Sequence, residues 1–315
     1  MVTSTDRFSI IHQLAIDKSA SSGTEIYAAG LSEIIRSTDG FETFEVVLGA
    51  NNTGNNFSDV AVSSSGKVYA AIANSSFNGN NREDGFYKSD DGLSWTKIQP
   101  PSNFPSSFDR FEIAIDPNDE NKVYFVSGNR LFAYNESANF WTDLSANINV
   151  STGDVGAGHG SQGGYDLYAA VHPSDPNVIF LGGVNLIRST NGFGTTAQTK
   201  QVGGYNNDNN PNSFPRYPNH HPDNHAYAFF PSNPNRMISA TDGGLHLTEN
   251  NKANVSANNP ITWKSLNNGY ITTQFYHADI HQFDLGDPQL AGGMQDNGTW
   301  AKFTSNAKEN WVEVF

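Results

Sequence analysis

The amino-acid sequence predicts an all-β fold built from repeated four-stranded antiparallel units. Only 16% of the 315 residues are charged, so the polarity of the chain comes from Asn, Ser, Thr and Gly. These residues suit short strands joined by turns, because Asn and Gly tolerate positive φ and Ser and Thr bond back to nearby backbone. Extended stretches rich in the helix formers Ala, Leu, Glu and Lys are absent from the sequence.

A period of roughly 50 residues organises the chain, and this spacing is typical of propeller blades. Each unit starts with an apolar strand and ends with a strand that alternates apolar and polar residues, as a half-exposed outer strand does. The repeat predicts a single β-propeller domain over residues 1–315, truncated at its C-terminus, in which the six visible blades belong to a propeller of seven or more. The predicted blades cover roughly residues 8–50, 57–100, 109–147, 163–203, 223–268 and 274–315.

The charge balance limits the classes of partner. The net charge is −14, from 18 basic and 32 acidic residues, and no basic cluster is present, so we expect no nucleic-acid partner. No run of about 18 apolar residues occurs, so we expect no membrane insertion. There is no cysteine to supply a disulfide or a thiolate site. We expect a monomer.

A short turn motif recurs between the third and fourth strands of several units. An acidic or amide side chain caps the turn, Gly supplies positive φ, and an aromatic residue packs against the sheet below. The motif residues are Ser37, Asp39 and Gly40; Ser89, Asp91, Gly92 and Trp95; and Ser189, Asn191 and Gly192. They resemble the Asp-box, or BNR repeat. In the families that carry this repeat, among them sialidases, xyloglucanases and sortilin-type receptors, it lies away from the functional face, which implies a structural role here.

A second resemblance covers residues 160 to 300. The motifs that carry it are Gln162-Gly163-Gly164-Tyr165-Asp166, His221-Pro222-Asp223-Asn224-His225, Thr241-Asp242-Gly243-Gly244 and Gly293-Met294-Gln295-Asp296-Asn297-Gly298-Thr299. In this order they resemble secreted bacterial propeller proteins described as glycosyl hydrolase-like or sortilin-like. The resemblance implies an extracellular or cell-surface protein that binds or processes a polysaccharide. The alternative is a non-catalytic scaffold of the sortilin-like type that binds peptides or proteins.

The predicted topology brings these motifs to one end of the molecule. Turns between second and third strands lie on the same face as the segments that enter the first strands. We therefore expect a binding site at the rim of the central channel, formed by Tyr165, Asp166, His221, Asp223, His225, Asp242, Gln295, Asp296 and Asn297.

Three interpretations apply to the histidine segment. His221, Asp223 and His225 are spaced by two residues, so in a strand they point to one side. Two imidazoles and a carboxylate on one face are ligands for a divalent metal such as zinc. Alternatively they form a polar network at the channel mouth, or Asp223 only holds a histidine in place. A metal is the one cofactor that the sequence suggests.

Catalysis stays open at this stage. Asp242 and Asp296 are candidates for the paired carboxylates of glycoside cleavage, in which one acid protonates the leaving oxygen and the other acts as base or nucleophile. Asp and Gly are also the usual residues of ordinary tight turns. The loop between Tyr205 and Asn219 supplies Arg216 and Tyr217 as a possible stacking surface for a ligand, unless it only packs its own aromatic residues.

Overall fold

The structure is a computed structural model. It describes residue 8 and residues 10–21, 25–52, 54–74, 83–148, 160–205, 216–254, 260–269, 274–280, 290–295, 298–303 and 311–314. Within these ranges the chain contains β-strands and short 3-10 turns and no α-helix. No helix in the described part is long and apolar enough to cross a membrane.

The chain forms two compact units, residues 1–266 and 267–315. The first unit contains five antiparallel sheets, each with its four strands hydrogen-bonded in chain order. The strands of sheets 1 to 3 are β1 Gln13–Ile16, β2 Ile26–Ala29, β3 Ile34–Ser37, β4 Glu45–Leu48; β5 Ser58–Val62, β6 Val68–Ile72, β7 Gly85–Ser89, β8 Thr96–Ile98; and β9 Glu112–Ile115, β10 Lys122–Ser127, β11 Arg130–Asn135, β12 Phe140–Asp143.

The strands of sheets 4 and 5 are β13 Tyr168–His172, β14 Asp175–Gly182, β15 Leu186–Ser189, β16 Thr199–Gly203; and β17 Asn224–Phe230, β18 Asn233–Thr241, β19 Gly244–Thr248, β20 Lys264–Ser265. The second unit holds sheet 6, with β21 Phe275–Ile280, β22 Leu290–Met294, β23 Thr299–Lys302 and β24 Val312–Glu313. The prediction of repeated four-stranded antiparallel sheets is confirmed. A single propeller domain over 1–315 stays a prediction.

The cores of the first unit lie between successive sheets. Tyr27 of sheet 1 packs with Val68 of sheet 2, and Phe86 of sheet 2 packs with Phe125 of sheet 3. The second strand of sheet 2 is the clearest example of a deeply buried strand, because all five residues of β6 are inaccessible to solvent. Such apolar runs predict strands covered on both faces. The first strands of neighbouring sheets, β1, β5, β9, β13 and β17, pack beside one another in chain order.

Side chains close the turns between the third and fourth strands. In sheet 2, Asp91 Oδ1 accepts hydrogen bonds from the backbone N–H groups of Leu93 at 2.8 Å and Ser94 at 2.7 Å. Gly92 has φ +70°, and its backbone packs so closely on Tyr27 of sheet 1 that a Cβ would collide with the phenol. The turn therefore both ends β7 and joins two sheets.

The turns of sheets 1 and 4 use the same chemistry with different residues. Asp39 accepts from the backbone N–H of Thr43 at 2.9 Å, and Asn191 Nδ2 donates to Thr195 Oγ1 at 3.0 Å. The aromatic position varies between turns. Trp95 packs against the core between sheets 1 and 2. Phe44, at the corresponding place of the first turn, is 46% exposed and meets the Phe8 ring edge to face, so it does not fill the core as Trp95 does.

Candidate functional site

Three segments of the first unit bring polar side chains together at the start of β13 and β17. A 3-10 turn, Gln162–Gly164, precedes β13, the segment 219–223 precedes β17, and a two-residue turn joins β18 to β19. We call the resulting group the carboxylate–histidine cluster. Its members are Gln162, Tyr165, Asp166, Asp223, His225 and Asp242.

The exposed part of the cluster consists of an aromatic ring, an imidazole and a carboxylate. His225 Nε2 donates a hydrogen bond to Asp242 Oδ1 at 2.6 Å, and the Tyr165 hydroxyl donates to Asp242 Oδ2 at 3.4 Å. The Tyr165 and His225 rings meet edge to face, with centroids 5.2 Å apart. Partial burial and the negative charge of Asp242 raise the pKa of Tyr165. Since 57% of Tyr165 and 35% of the His225 side chain are exposed, a ligand can reach both.

The buried part of the cluster consists of two carboxyl groups. Asp166 is inaccessible to solvent and Asp223 is 4% exposed. Gln162 Nε2 donates to Asp223 Oδ1 at 3.3 Å, and Asp166 Oδ1 lies 3.8 Å from His225 Nε2. Burial, together with the charge of Asp223, raises the pKa of Asp166 to about 8. The exposed imidazole thus stands between an accessible carboxylate and a buried carboxyl group.

Arg110, from the segment that enters β9, holds the loop that presents Tyr165 and Asp166. Its guanidinium donates to the carbonyl oxygens of Gly164 at 2.7 Å, Tyr165 at 3.1 Å and Leu167 at 3.1 Å, and to Glu112 Oε1 at 2.7 Å. Gly164 has φ +94°, and a Cβ there would lie 2.9 Å from Arg110 Cβ. Only glycine therefore allows the loop to approach the arginine this closely.

Acidic groups continue from the cluster along the first strands of sheets 2 and 3. Asp59 is buried and accepts hydrogen bonds from the backbone N–H groups of Ile113 and Val60 at 2.6 and 2.9 Å. Burial raises the pKa of Asp59 to about 6, and burial with the charge of Asp59 raises that of Glu112. The positive charge of Arg110 opposes the increase in the pKa of both groups, and it also opposes the increase in the pKa of Asp166. One guanidinium therefore partly offsets the effect of burial on the pKa of three carboxyl groups.

Buried histidines support the segment that enters β17. His246 Nδ1 donates to the carbonyl oxygen of Asn219 at 2.8 Å, and the backbone N–H of His221 donates to His246 Nε2 at 3.4 Å. Burial lowers the pKa of His246 to about 4 and that of His220 well below its usual value. These imidazoles are therefore neutral at pH 7, and they hold the segment in place.

The metal site suggested by the sequence is not formed. His221 packs on Gly243, whereas His225 reaches Asp242. The two-residue spacing misleads because β17 begins only after Asp223, which has φ +62°, so the alternation of a strand does not extend back to His221. In the described ranges, no group of three or more His, Asp or Glu side chains has the geometry to hold a metal ion.

The remaining candidates lie elsewhere. Tyr217 is 3% exposed and its hydroxyl donates to the carbonyl oxygen of Ile261 at 2.8 Å, so it belongs to the core between sheets 4 and 5 and offers no stacking face. Arg216 is exposed. Gln295 belongs to the second unit, where its N–H donates to the Gln274 carbonyl oxygen at 2.9 Å. Two residues of the sequence prediction lie outside the described residues, Asp296 and Asn297.

Arg110 was not among the predicted site residues, although the sequence contains a signal for its role. Arg110 stands one residue before a predicted first strand, FEIAI, in a chain with an excess of acidic residues. The corresponding position ahead of sheet 4 lies in the motif that carries Tyr165 and Asp166. A cation at the same end of a neighbouring strand is a natural partner for that motif.

Comparison with known proteins shows the fold. No protein-family model and no curated protein matches the chain. Among solved structures, the GH74 xyloglucanase from Xanthomonas campestris matches 89% of this chain and 42% of its own, with a TM-score of 0.53 and 15% identity. An extracellular domain from B. thetaiotaomicron, described as part of the hybrid two component system BT4673, matches 97% of this chain and 33% of its own, with a TM-score of 0.50 and 13% identity.

The chain spans less than half the length of either structure. At these identities the likeness establishes the fold and leaves the activity open. With its six four-stranded antiparallel sheets, the chain has an all-β fold of the β-propeller class, as the sequence predicts.

Proposed function

We propose that this chain binds or processes a polysaccharide at the carboxylate–histidine cluster. The observation that supports the proposal most directly is the exposed Tyr165 ring beside the hydrogen-bonded pair of His225 and Asp242. A ligand site commonly combines an aromatic surface with a few well-placed polar groups. The cluster provides both, with Tyr165 from the loop before β13, His225 from β17 and Asp242 from the turn between β18 and β19.

The chemistry of the cluster fits a sugar ring. The C–H groups on one face of a pyranose pack on an aromatic face such as that of Tyr165, whose π-system carries partial negative charge. Sugar hydroxyls both donate and accept, so they can bond to the Asp242 carboxylate and to the imidazole of His225. An uncharged polymer also avoids the repulsion that an anionic ligand meets on a chain of net charge −14.

Processing of a polysaccharide at this site would depend on paired acids. Glycoside cleavage needs one carboxylic acid that protonates the leaving oxygen and one carboxylate that acts as base or nucleophile. Asp242 is the accessible carboxylate of the cluster. Within the cluster, Asp166 is inaccessible to solvent and lies 3.8 Å from His225 Nε2, so it would act on a ligand only through that imidazole.

An extracellular or cell-surface location belongs to the same proposal. It is supported by the resemblance of residues 160 to 300 to secreted propeller proteins. The similarity in fold to an extracellular domain of B. thetaiotaomicron agrees with it. A polysaccharide ligand is also most readily met outside the cell.

The proposal is tested by calorimetric binding to a panel of plant, algal and microbial oligosaccharides that includes xyloglucan fragments, together with a reducing-sugar assay. We expect Tyr165→Ala and Asp242→Asn each to weaken binding by about tenfold or more, which is about 1.4 kcal/mol. Phe140→Ala is the matched control, because it removes an equally exposed aromatic ring from an outer strand, where 63% of the residue is accessible.

Other results of these assays would assign a different function to the site. Binding without release of reducing sugar would make the chain a carbohydrate-binding propeller. Binding of extended peptides, weakened by the same two substitutions and accompanied by no carbohydrate binding, would instead support the sortilin-like scaffold. Equal affinity for a glycan in wild type, Tyr165→Ala and Asp242→Asn would contradict the proposed location of the site.

A further inference from the structure

The starting point is the environment of Asp166. The residue is inaccessible to solvent, and neither of its carboxylate oxygens has a hydrogen-bond donor within the described part of the chain. An ionised carboxylate in such a position loses its hydration and gains no hydrogen bond in return, which is strongly unfavourable. Proteins resolve this conflict by keeping the carboxyl group protonated.

Asp223 supplies the partner that a protonated Asp166 needs. It is 4% exposed, and its side chain is within hydrogen-bonding contact of Asp166. Two carboxylates cannot bond to each other when both are ionised, because both are acceptors. With one proton, Asp166 can donate to Asp223, which also accepts from Gln162 Nε2. The proton thus gives one of the otherwise unpaired Asp166 oxygens a hydrogen-bond partner.

The surrounding charges agree with this assignment. Asp242 adds a second negative charge near Asp166, and Arg110 adds the opposing positive charge. The Arg110 guanidinium is, however, already engaged by Glu112 and by three carbonyl oxygens. Among the described residues, the pair is also faced by His225 at 3.8 Å and by Tyr165, whose hydroxyl bonds to Asp242. The buried Tyr227 is a third titratable neighbour, and burial together with nearby groups that include Asp166 raises its pKa.

We propose that Asp166 and Asp223 share one proton at neutral pH and that this pair sets the negative charge behind His225. The pair carries one charge while the proton is present and two after it is lost. Asp166 and Asp223 are then positioning residues, because they act on a ligand only through His225. Their part in carbohydrate processing rests on the proposed function, whereas the shared proton can be tested without any carbohydrate.

The direct test is an NMR titration of the His225 ring in the full chain, with its resonance assigned by its absence from His225→Gln. In wild type we expect an inflection near pH 8, because ionisation of Asp166 changes the charge that the imidazole faces. Asp166→Asn should abolish this inflection, since an amide does not titrate. Asp242→Asn should keep it, displaced to lower pH, because the second negative charge is gone.

The pH dependence of stability provides a second measurement. The pKa of Asp166 is raised on folding, so its stabilising effect is present below the pKa of the unfolded chain and is lost as pH rises through about 8. The melting temperature of wild type should therefore fall further between about pH 5 and about pH 9 than that of Asp166→Asn.

Each result bears on the inference whatever the ligand is. An inflection in wild type that Asp166→Asn removes supports the shared proton, even if no glycan binds and the proposed function fails. A wild-type titration with no inflection between about pH 7 and about pH 9 overturns the inference. Identical melting curves against pH in wild type and a folded Asp166→Asn overturn it as well.

Discussion

At the scale of single residues, the carboxylate–histidine cluster is held in place by Arg110, which is not one of its members. Arg110 bonds to three carbonyl oxygens of the loop that carries Tyr165 and Asp166, and it comes from a different sheet. Such bonds fix the loop through its backbone and leave the side chains free to meet a ligand. A planar guanidinium with five donors can do this, and an ammonium cannot.

Arg110→Lys is therefore expected to behave as a loss of function and not as a conservative change. It should cost about 1–3 kcal/mol of stability, because three carbonyl oxygens and the buried Glu112 lose their donor. Hydrogen exchange at the amides of residues 164–167 should become faster, and glycan affinity should fall with it. Wild-type exchange in a folded Arg110→Lys would show that the arginine does not hold the loop.

The site residues were predictable from sequence only in part. Strand spacing and turn position bring Tyr165, His225 and Asp242 to one place, as the topology predicts. The direction of His221 was not predictable, because a left-handed residue at Asp223 breaks the alternation. For Tyr217 the sequence leaves open a ligand surface or a loop that packs its own aromatic residues, and the burial of its ring in the core agrees with the second alternative. A single sequence contains no direct signal for either outcome.

At the scale of elements, side chains tie the turns and the sheets together. In the turn after β7, Asp91 accepts two backbone hydrogen bonds and one from the Ser89 hydroxyl. Hydrogen bonds from the backbone N–H groups of Ser94 and Leu93 lower the pKa of Asp91 strongly. We expect Asp91→Ala to lower the melting temperature clearly more than Asp90→Ala, since Asp90 is also exposed in the same turn but does not accept these backbone hydrogen bonds. Equal effects in scanning calorimetry would exclude a special role for Asp91.

A second element-scale contact joins sheets 2 and 3. Glu136, just after β11, accepts from Lys67 Nζ at 2.5 Å, Lys88 Nζ at 2.6 Å and the Tyr69 hydroxyl at 2.6 Å. Burial raises the pKa of Glu136, but hydrogen bonds from Lys67, Lys88 and Tyr69 outweigh it and lower the pKa to about 2. The stabilisation is therefore present above the pKa of the unfolded chain and is lost as pH falls through about 2.

We predict that Glu136→Gln lowers the free energy of unfolding by about 1–3 kcal/mol at neutral pH. The difference from wild type should shrink as pH falls from about 5 towards about 2. Urea denaturation at several pH values measures both effects. Glu45→Gln is the control, because Glu45 pairs with Arg36 at 3.3 Å with 58% of its side chain exposed and should contribute little. A loss for Glu136→Gln no larger than for Glu45→Gln would contradict this account.

The elements themselves were the most predictable part of the structure. Apolar second strands such as β6 and turns with Gly and Asp mark each unit, because burial and positive φ leave clear patterns in sequence. The outcome of an individual turn is harder to predict. Phe44 and Trp95 occupy equivalent places in the motif, but only Trp95 finds a core to pack against.

At the scale of the whole molecule, net charge distinguishes classes of ligand. The chain carries a charge of −14, and its cluster contains three aspartates. An uncharged oligosaccharide should bind with nearly the same affinity at about 0.05 M and about 0.5 M salt, because screening acts on charge pairs. A cationic peptide would bind much more weakly at the higher concentration. Calorimetry at the two salt concentrations separates these cases.

The measurement that tests the central claim most directly is a crystal structure of the chain with the oligosaccharide that binds most tightly in the panel. The account predicts a sugar ring packed on Tyr165, with its hydroxyl groups within hydrogen-bonding distance of Asp242 and His225. A sugar bound at another surface, with these three side chains unoccupied, would contradict it.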